Sequence, residues 1–207
     1  TTKKGKEGKL SVQFSSSSEF SKAYMTPEFQ NTYGNKKDMY ESWGEKLLTP
    51  TSYDPKKDFF NTGTNFINSV TLTTGTKSNQ TFASVSTNSK GIVPNNEYER
   101  LNFTIRNTAT FLNDKLQLDL GASYVKQKDK NMVSQGQYWN PVMAAYLFPR
   151  GEDFDGIKSF EHFDESRQLP VQYWPVADPV YASQNPYWTA YRNVATNEKS
   201  RYMFNVG

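Results

Sequence analysis

Cysteine is absent from this chain, so it has neither disulfides nor thiolate metal sites, and its compartment stays open. There is one histidine, His162, without a second histidine or a cysteine to share a metal with it. A serine or cysteine triad would have to use that same residue, and no GxSxG elbow accompanies it. Charge of one sign is also scarce: the net value is +3 over 207 residues, with no arginine-rich cluster, which speaks against a nucleic-acid partner. No run of apolar residues approaches the roughly 18 that a transmembrane helix needs. The hydrophobic fraction is only 35% and the mean hydropathy is −0.80, both low for a packed globular domain. Yet aromatics make up 15% of the chain, whereas disordered chains are aromatic-poor.

What is present is alternation. In RLNFTIRNTATFLNDKLQLDLGASY, Leu101, Phe103, Ile105, Ala109 and Phe111 alternate with Asn102, Thr104, Arg106, Thr108 and Thr110. Asn113-Asp114-Lys115 then reverses the chain, and Leu116, Leu118, Leu120, Ala122 and Tyr124 alternate with Gln117, Asp119, Gly121 and Ser123. Period two with a polar turn predicts an antiparallel hairpin over about 100–112 and 116–126. KLSVQFSSSSEF places Leu10, Val12, Phe14 and Phe20 on one face, and NFINSVTLTTGT does the same with Phe66, Val70 and Leu72. A weaker strand carries Ala83 and Val85, and RYMFNVG opens a further one with Tyr202, Phe204 and Val206. The reading is all-β: about six antiparallel strands of roughly ten residues, with almost no helix signal.

The connections are expected to alternate in length. Those at about 25–64, 91–99 and 130–199 are long, while Gly75–Gln80 and Asn113–Lys115 are short. Strands of about ten residues, apolar on one side, with short turns at one end and long loops at the other, are what an outer-membrane barrel requires. A soluble sandwich or solenoid with one half-buried face gives the same alternation, so periodicity leaves both readings open.

Several segments narrow the choice. TTKKGKEGKLSVQFSSS resembles the plug-to-barrel junction of SusC/RagA-type TonB-dependent outer-membrane transporters. TPEFQNTYG, DFFNTG, ASVSTNSKGIVPNNEYERLNF, FLNDKL, QGQYWNPVMAAYLFPRGEDF, VQYWP and NPYW are similar, in order, to further segments of that family. The resemblance implies a 22-stranded transmembrane β-barrel with a plugged lumen. It also implies import of glycans or peptides together with a SusD-type surface lipoprotein, energised through TonB across a Gram-negative envelope. Residues 1–9 would then end the plug, and residues 10–207 would form the first six or so strands, with outer-membrane lipid around them. On that placement the loops at 25–64, 91–99 and 130–199 are extracellular. The pattern still alternates at Val206 and Gly207, so the chain is expected to be a piece of a longer protein lacking the part TonB contacts.

Site chemistry is sparse. Lys3, Lys4, Lys6 and Lys9 read as a solvated rim or a phosphate contact. Glu152, Asp153 and Asp155 in GEDFDG read as a solvated acidic turn, with calcium at 152–156 as the sharper alternative and a glycosidase pair as the remote one. No enzyme activity, metal or cofactor is expected. The loop at 130–199 is rich in rings, among them Tyr146, Phe148, Tyr181 and Tyr191. Tyr138, Trp139, Tyr173, Trp174, Tyr187 and Trp188 are the candidate contacts for cargo or lipoprotein, against the plainer reading that such rings form the private core of an ordered loop.

Overall fold

The computed structural model describes residues 8–36, 39–76, 79–85, 88–176 and 183–207. Most of it is one antiparallel sheet. Its strands are β1 (Ser11–Ser21), β2 (Gly63–Gly75), β3 (Asn79–Val85), β4 (Asn88–Lys90), β5 (Glu97–Phe111), β6 (Leu116–Lys130) and, after a small hairpin, β9 (Thr196–Val206). The order is β1-β2-β3-β5-β6-β9, with β4 continuing the β3 lane between β2 and β5. Along that path the strands of the sheet follow one another in chain order, a simple meander, and β1 and β9 are its edges. The sheet is open; no closed barrel is formed by the described residues.

The expected antiparallel hairpin is found. Phe103 lies opposite Tyr124, Ile105 opposite Ala122, and Phe111 opposite Leu116. Its turn begins one residue earlier than the sequence suggested: Leu112, Asn113 and Asp114 all have positive φ (54°, 53° and 65°). Asn and Asp tolerate that left-handed region better than other side chains. β5 and β6 are each 15 residues long, longer than the periodicity indicated, because Glu97, Glu99, Lys128 and Lys130 extend the ladder with charged side chains.

Register carries the alternation across the whole sheet. Val12 pairs with Leu72 and Phe14 with Val70; Leu120 pairs with Val206, Ala122 with Phe204 and Tyr124 with Tyr202. One face is therefore mainly apolar from β1 to β9, interrupted by the Ser16–Asn68 pair and by Asn107. The other face carries polar cross-strand contacts: Thr104 with Ser123, and a two-pronged ion pair between Arg106 and Asp119. Ala83 and Val85 occupy register positions opposite Leu72 and Val70, but their side chains lie outside the described set. So do Lys3, Lys4, Lys6 and Tyr181.

The connections sort by end. Residues 76–78 and 112–115 join strands at one end, and 22–62, 91–96 and 131–195 at the other. The three long ones fold together into a cap. Its elements are short helices α1 (Pro55–Asp58), α2 (Pro141–Tyr146) and α3 (Pro186–Arg192), one 3-10 turn, and the hairpin β7 (Glu161–Asp164) with β8 (Leu169–Gln172). These few short helices leave the architecture all-β, as the alternation indicated. Each begins the same way: Asp54, Asn140 and Asn185 cap α1, α2 and α3 through their side chains, and proline occupies the first turn. The cap oxygen satisfies otherwise orphaned N–H groups, and proline needs no intrahelical partner there.

Candidate functional site

The cap holds the buried core of the described residues. Tyr53, Phe59, Val93, Ala145, Phe148, Phe154, Ile157 and Val176 form one cluster, drawn from all three long connections and from none of the sheet strands. Tyr53 stacks on Phe154 with centroids 3.9 Å apart and meets Phe148 edge-on at 5.8 Å. The Tyr53 hydroxyl donates to the Ala145 carbonyl at 2.7 Å, and burial pushes its pKa up. Rings that bury both a large apolar face and a satisfied polar edge are efficient core material.

Asn185 is the polar keystone. It is completely buried, and its amide nitrogen donates to the carbonyls of Ile157 and Tyr173 at 2.8 and 2.9 Å. Its side-chain oxygen accepts from the N–H groups of Tyr187 and Trp188, which starts α3. One side chain thus ties α3, the 3-10 turn and the residue just past β8. Asn131 performs a similar role at the neck of the cap. Its backbone N–H donates to Ala195, its side-chain oxygen accepts from Ala195, and its amide nitrogen donates to Ala190 and Asn95.

The six candidate rings separate into two groups. Trp174 and Tyr187 pack against the buried cluster: Trp174 lies 5.7 Å from Phe148, and Tyr187 lies 5.7 Å from Phe59. The Tyr187 hydroxyl donates to the Asp58 carbonyl at 3.2 Å, and burial raises its pKa to about 12. Trp188 is half-buried on α3. Tyr138 and Trp139, by contrast, are 58% and 51% exposed, on the segment just before α2. Tyr173 is exposed as well, with the His162 ring edge-on at 6.4 Å. The cap surface that is free to meet another molecule therefore includes Tyr138, Trp139 and Tyr173.

The acidic turn is spent on local structure. Asp153 accepts from the N–H groups of Asp155 and Gly156, Asp155 pairs with Lys158, and Glu152 accepts from Asn35. Among the described residues no group of three His, Cys, Asp or Glu side chains could hold a metal ion.

Sequence reasoning did not anticipate Arg150. It is 4% exposed, yet it forms no ion pair with a described carboxylate. Its guanidinium lies over two rings, 4.5 Å from the centroid of Phe29 and 5.1 Å from that of Tyr53. One terminal nitrogen, Nη1, donates to the Tyr53 carbonyl at a long 3.5 Å, and the other, Nη2, has no partner among the described residues. Burial lowers its pKa, with Tyr53 and Asp54 opposing. The sequence held no signal for this, because all of its neighbours are distant along the chain.

The sheet carries a different kind of surface. Val12, Phe14, Phe66, Val70, Leu72, Leu101, Phe103, Ile105, Leu120, Tyr202, Phe204 and Val206 are all exposed, from 40% at Ile105 to 79% at Phe204. No described element packs over them. At and beyond Leu101 the same face turns charged: Lys126 lies opposite Leu101, and Glu99, Lys128 and Glu198 share the next rung of that face. The rings of Tyr124 and Tyr202, 4.9 Å apart, sit just inside that charged margin. No helix among the described residues is long and apolar enough to cross a membrane, which bears only on helices. The chain matches no protein-family model and no curated protein.

Proposed function

We propose that this chain is the opening part of the barrel of a TonB-dependent outer-membrane transporter of the SusC/RagA type. The intact protein imports glycans or peptides together with a SusD-type lipoprotein. The observation that carries the reading is the uncovered apolar face. From Leu101 to Phe111 it spans ten residue steps of β5. That is roughly 34 Å along the strand, or about 26 Å of height at the usual 35–45° tilt. The apolar band of an outer-membrane barrel is about 25 Å tall. Charged residues begin where that height ends, and tyrosines lie at the margin, as interfacial girdles require.

Two further features support it. Short turns gather at one end of the meander and long loops at the other. Both edges of the sheet are open, and in lipid an open edge leaves backbone groups unsatisfied, so further strands must close it. The cap then lies outside, over part of the mouth, and Tyr138, Trp139 and Tyr173 are its surfaces for cargo or lipoprotein. A soluble β-rich glycan-binding or adhesin domain, the other reading, would need a cover for this face.

The test uses the full-length protein in its native cells. It should fractionate with the outer membrane, and growth on its cognate nutrient should fail without TonB. Recovery of the folded protein in the soluble fraction would overturn the membrane reading. Membrane recovery with TonB-independent uptake would overturn the transport reading alone.

A further inference from the structure

A small apolar pocket opens at the neck of the cap. Asn131 and Ala195 pair just beyond the ends of β6 and β9, the Asn131 backbone N–H donating to the Ala195 carbonyl at 2.8 Å. Both residues help to line a cavity of about 60 Å³, and none of the residues lining it is charged. Its floor is buried, formed by Val93, Pro94, Thr189 and Ala190. Its rim is not: Met132 is 54% exposed and Trp139 51%. Trp139 also holds a φ of 55°. Bulky side chains rarely adopt that left-handed conformation, and it persists where surrounding structure imposes it. Yet the described residues give this ring only half its cover. The cavity is larger than the roughly 30 Å³ share of one water and well short of the about 150 Å³ that accepts benzene. It fits one short aliphatic side chain and no sugar ring.

β9 is an edge of the sheet and runs away from the cap. On the barrel reading a further strand pairs with it, and in a meander that strand is antiparallel and returns to the cap. Its last residue then lies beside Thr196, one strand spacing of about 4.8 Å from β9, and the connection leaving it starts next to the pocket. Each of the three connections already at this end contributes to the cap core: Tyr53 from the first, Val93 from the second, Phe148 from the third. Val93 belongs both to that core and to the pocket, so the pocket is an unfilled extension of the core. We propose that the connection leaving the strand on β9 continues the pattern: it lies across Met132 and Trp139 and seats one valine- or proline-sized side chain in the pocket. This inference rests on the barrel reading. Of the three exposed rings named above, it leaves Tyr138 and Tyr173 for cargo or lipoprotein.

The experiment is methionine oxidation by dilute hydrogen peroxide, mapped by mass spectrometry on the full-length protein purified without its lipoprotein. The reference is the same protein unfolded in urea. A methionine as exposed as Met132 would react within about twofold of the unfolded rate, because oxidation follows access to the sulfur. Under a seated connection Met132 should react at least about fivefold more slowly than in the unfolded chain. Ser134→Cys carrying a benzophenone label then identifies the cover, and light should join it to the connection that follows the strand on β9. Less protection of Met132, protection that appears only when the lipoprotein is added, or a crosslink to any other segment or protein overturns the inference. Fractionation of the same cells keeps the two readings apart. Soluble protein removes the barrel reading and this inference with it, whereas outer-membrane protein with a reactive Met132 overturns this inference alone.

Discussion

The sheet and the cap are built from the same kinds of residue used in opposite ways. In the cap, Phe59, Phe148 and Ile157 are exposed by 2% or less, and each packs against residues from another connection. In the sheet, Phe14, Phe103 and Ile105 are exposed by 40% or more, and none has a cover. The cap coheres by side-chain burial, the sheet by its backbone ladder and by polar contacts on its other face. A chain that needed water alone as solvent would have used the sheet's apolar face as its core. That this one builds a separate core out of its connections teaches that the two regions answer to different surroundings, and the proposed lipid contact supplies the second.

The comparison can be broken most forcefully from the cap side. Phe148→Ala removes the ring that touches Tyr53, Phe154 and Trp174 and should lower cap stability by about 3–5 kcal/mol. Hydrogen exchange should rise through 22–62 and 131–195 while β5 and β6 stay protected; collapse of both together would show the regions to be one cooperative unit. The matching change in the sheet is Ile105→Arg, which on the membrane reading lowers stability by about 2–4 kcal/mol. Thr104→Arg, one residue away on the polar face, should stay within about 0.5 kcal/mol. Equal effects at both positions in urea titrations of the membrane-inserted protein would remove the distinction between the faces.

Asn185→Ala should come next, with a loss of about 2 kcal/mol from an unmade helix cap and two buried carbonyls left without donors. It should appear as faster exchange confined to α3 and its neighbours. The smallest expected effect is the response of the β7–β8 hairpin to acid. The side-chain bond from Arg192 holds Glu161 below the usual carboxylate range, and the Ser166 hydroxyl does the same for Asp164. A carboxyl depressed in the folded state contributes stability that is complete above its unfolded value, about 4. That contribution is lost as pH falls through the lower folded value. Exchange in the hairpin should therefore accelerate below about pH 4, ahead of the rest of the cap, and Glu161→Gln should abolish part of that dependence.

Legibility divided along the same line. Strand pairing was readable, because alternation of Leu101, Phe103 and Ile105 against Thr104 and Arg106 is a local property and Asn113-Asp114 marks the turn. The helices had a local signal too: Asp54-Pro55, Asn140-Pro141 and Asn185-Pro186 are start signatures that a search for long periodic stretches passes over, since these helices run only four to seven residues. The hairpin β7–β8 was masked by its setting inside a long irregular stretch. What no local pattern contained was the sorting of the aromatics. Nothing near Trp174 or Tyr187 distinguishes them from Tyr138 or Trp139; they differ in whether Phe148 and Phe59 reach them. The isolation of Arg150 was unreadable for the same reason.

The cap's core has a further consequence, for the order in which the molecule assembles. Its bonds join partners far apart in the chain: Tyr53 to Ala145 across 92 positions, Asn35 to Glu152 across 117, and Tyr187 to Asp58 across 129. Between those partners lie β2 to β6, which pair with one another through short connections. Hairpins of that kind close quickly, whereas contacts of long sequence separation form slowly. The residues of the first connection must therefore wait, with Phe59 and Tyr53 uncovered, until the strands between have paired and the third connection has been made. The cap is expected to close last, so that its closure would mark a sheet already laid down in the correct sequence.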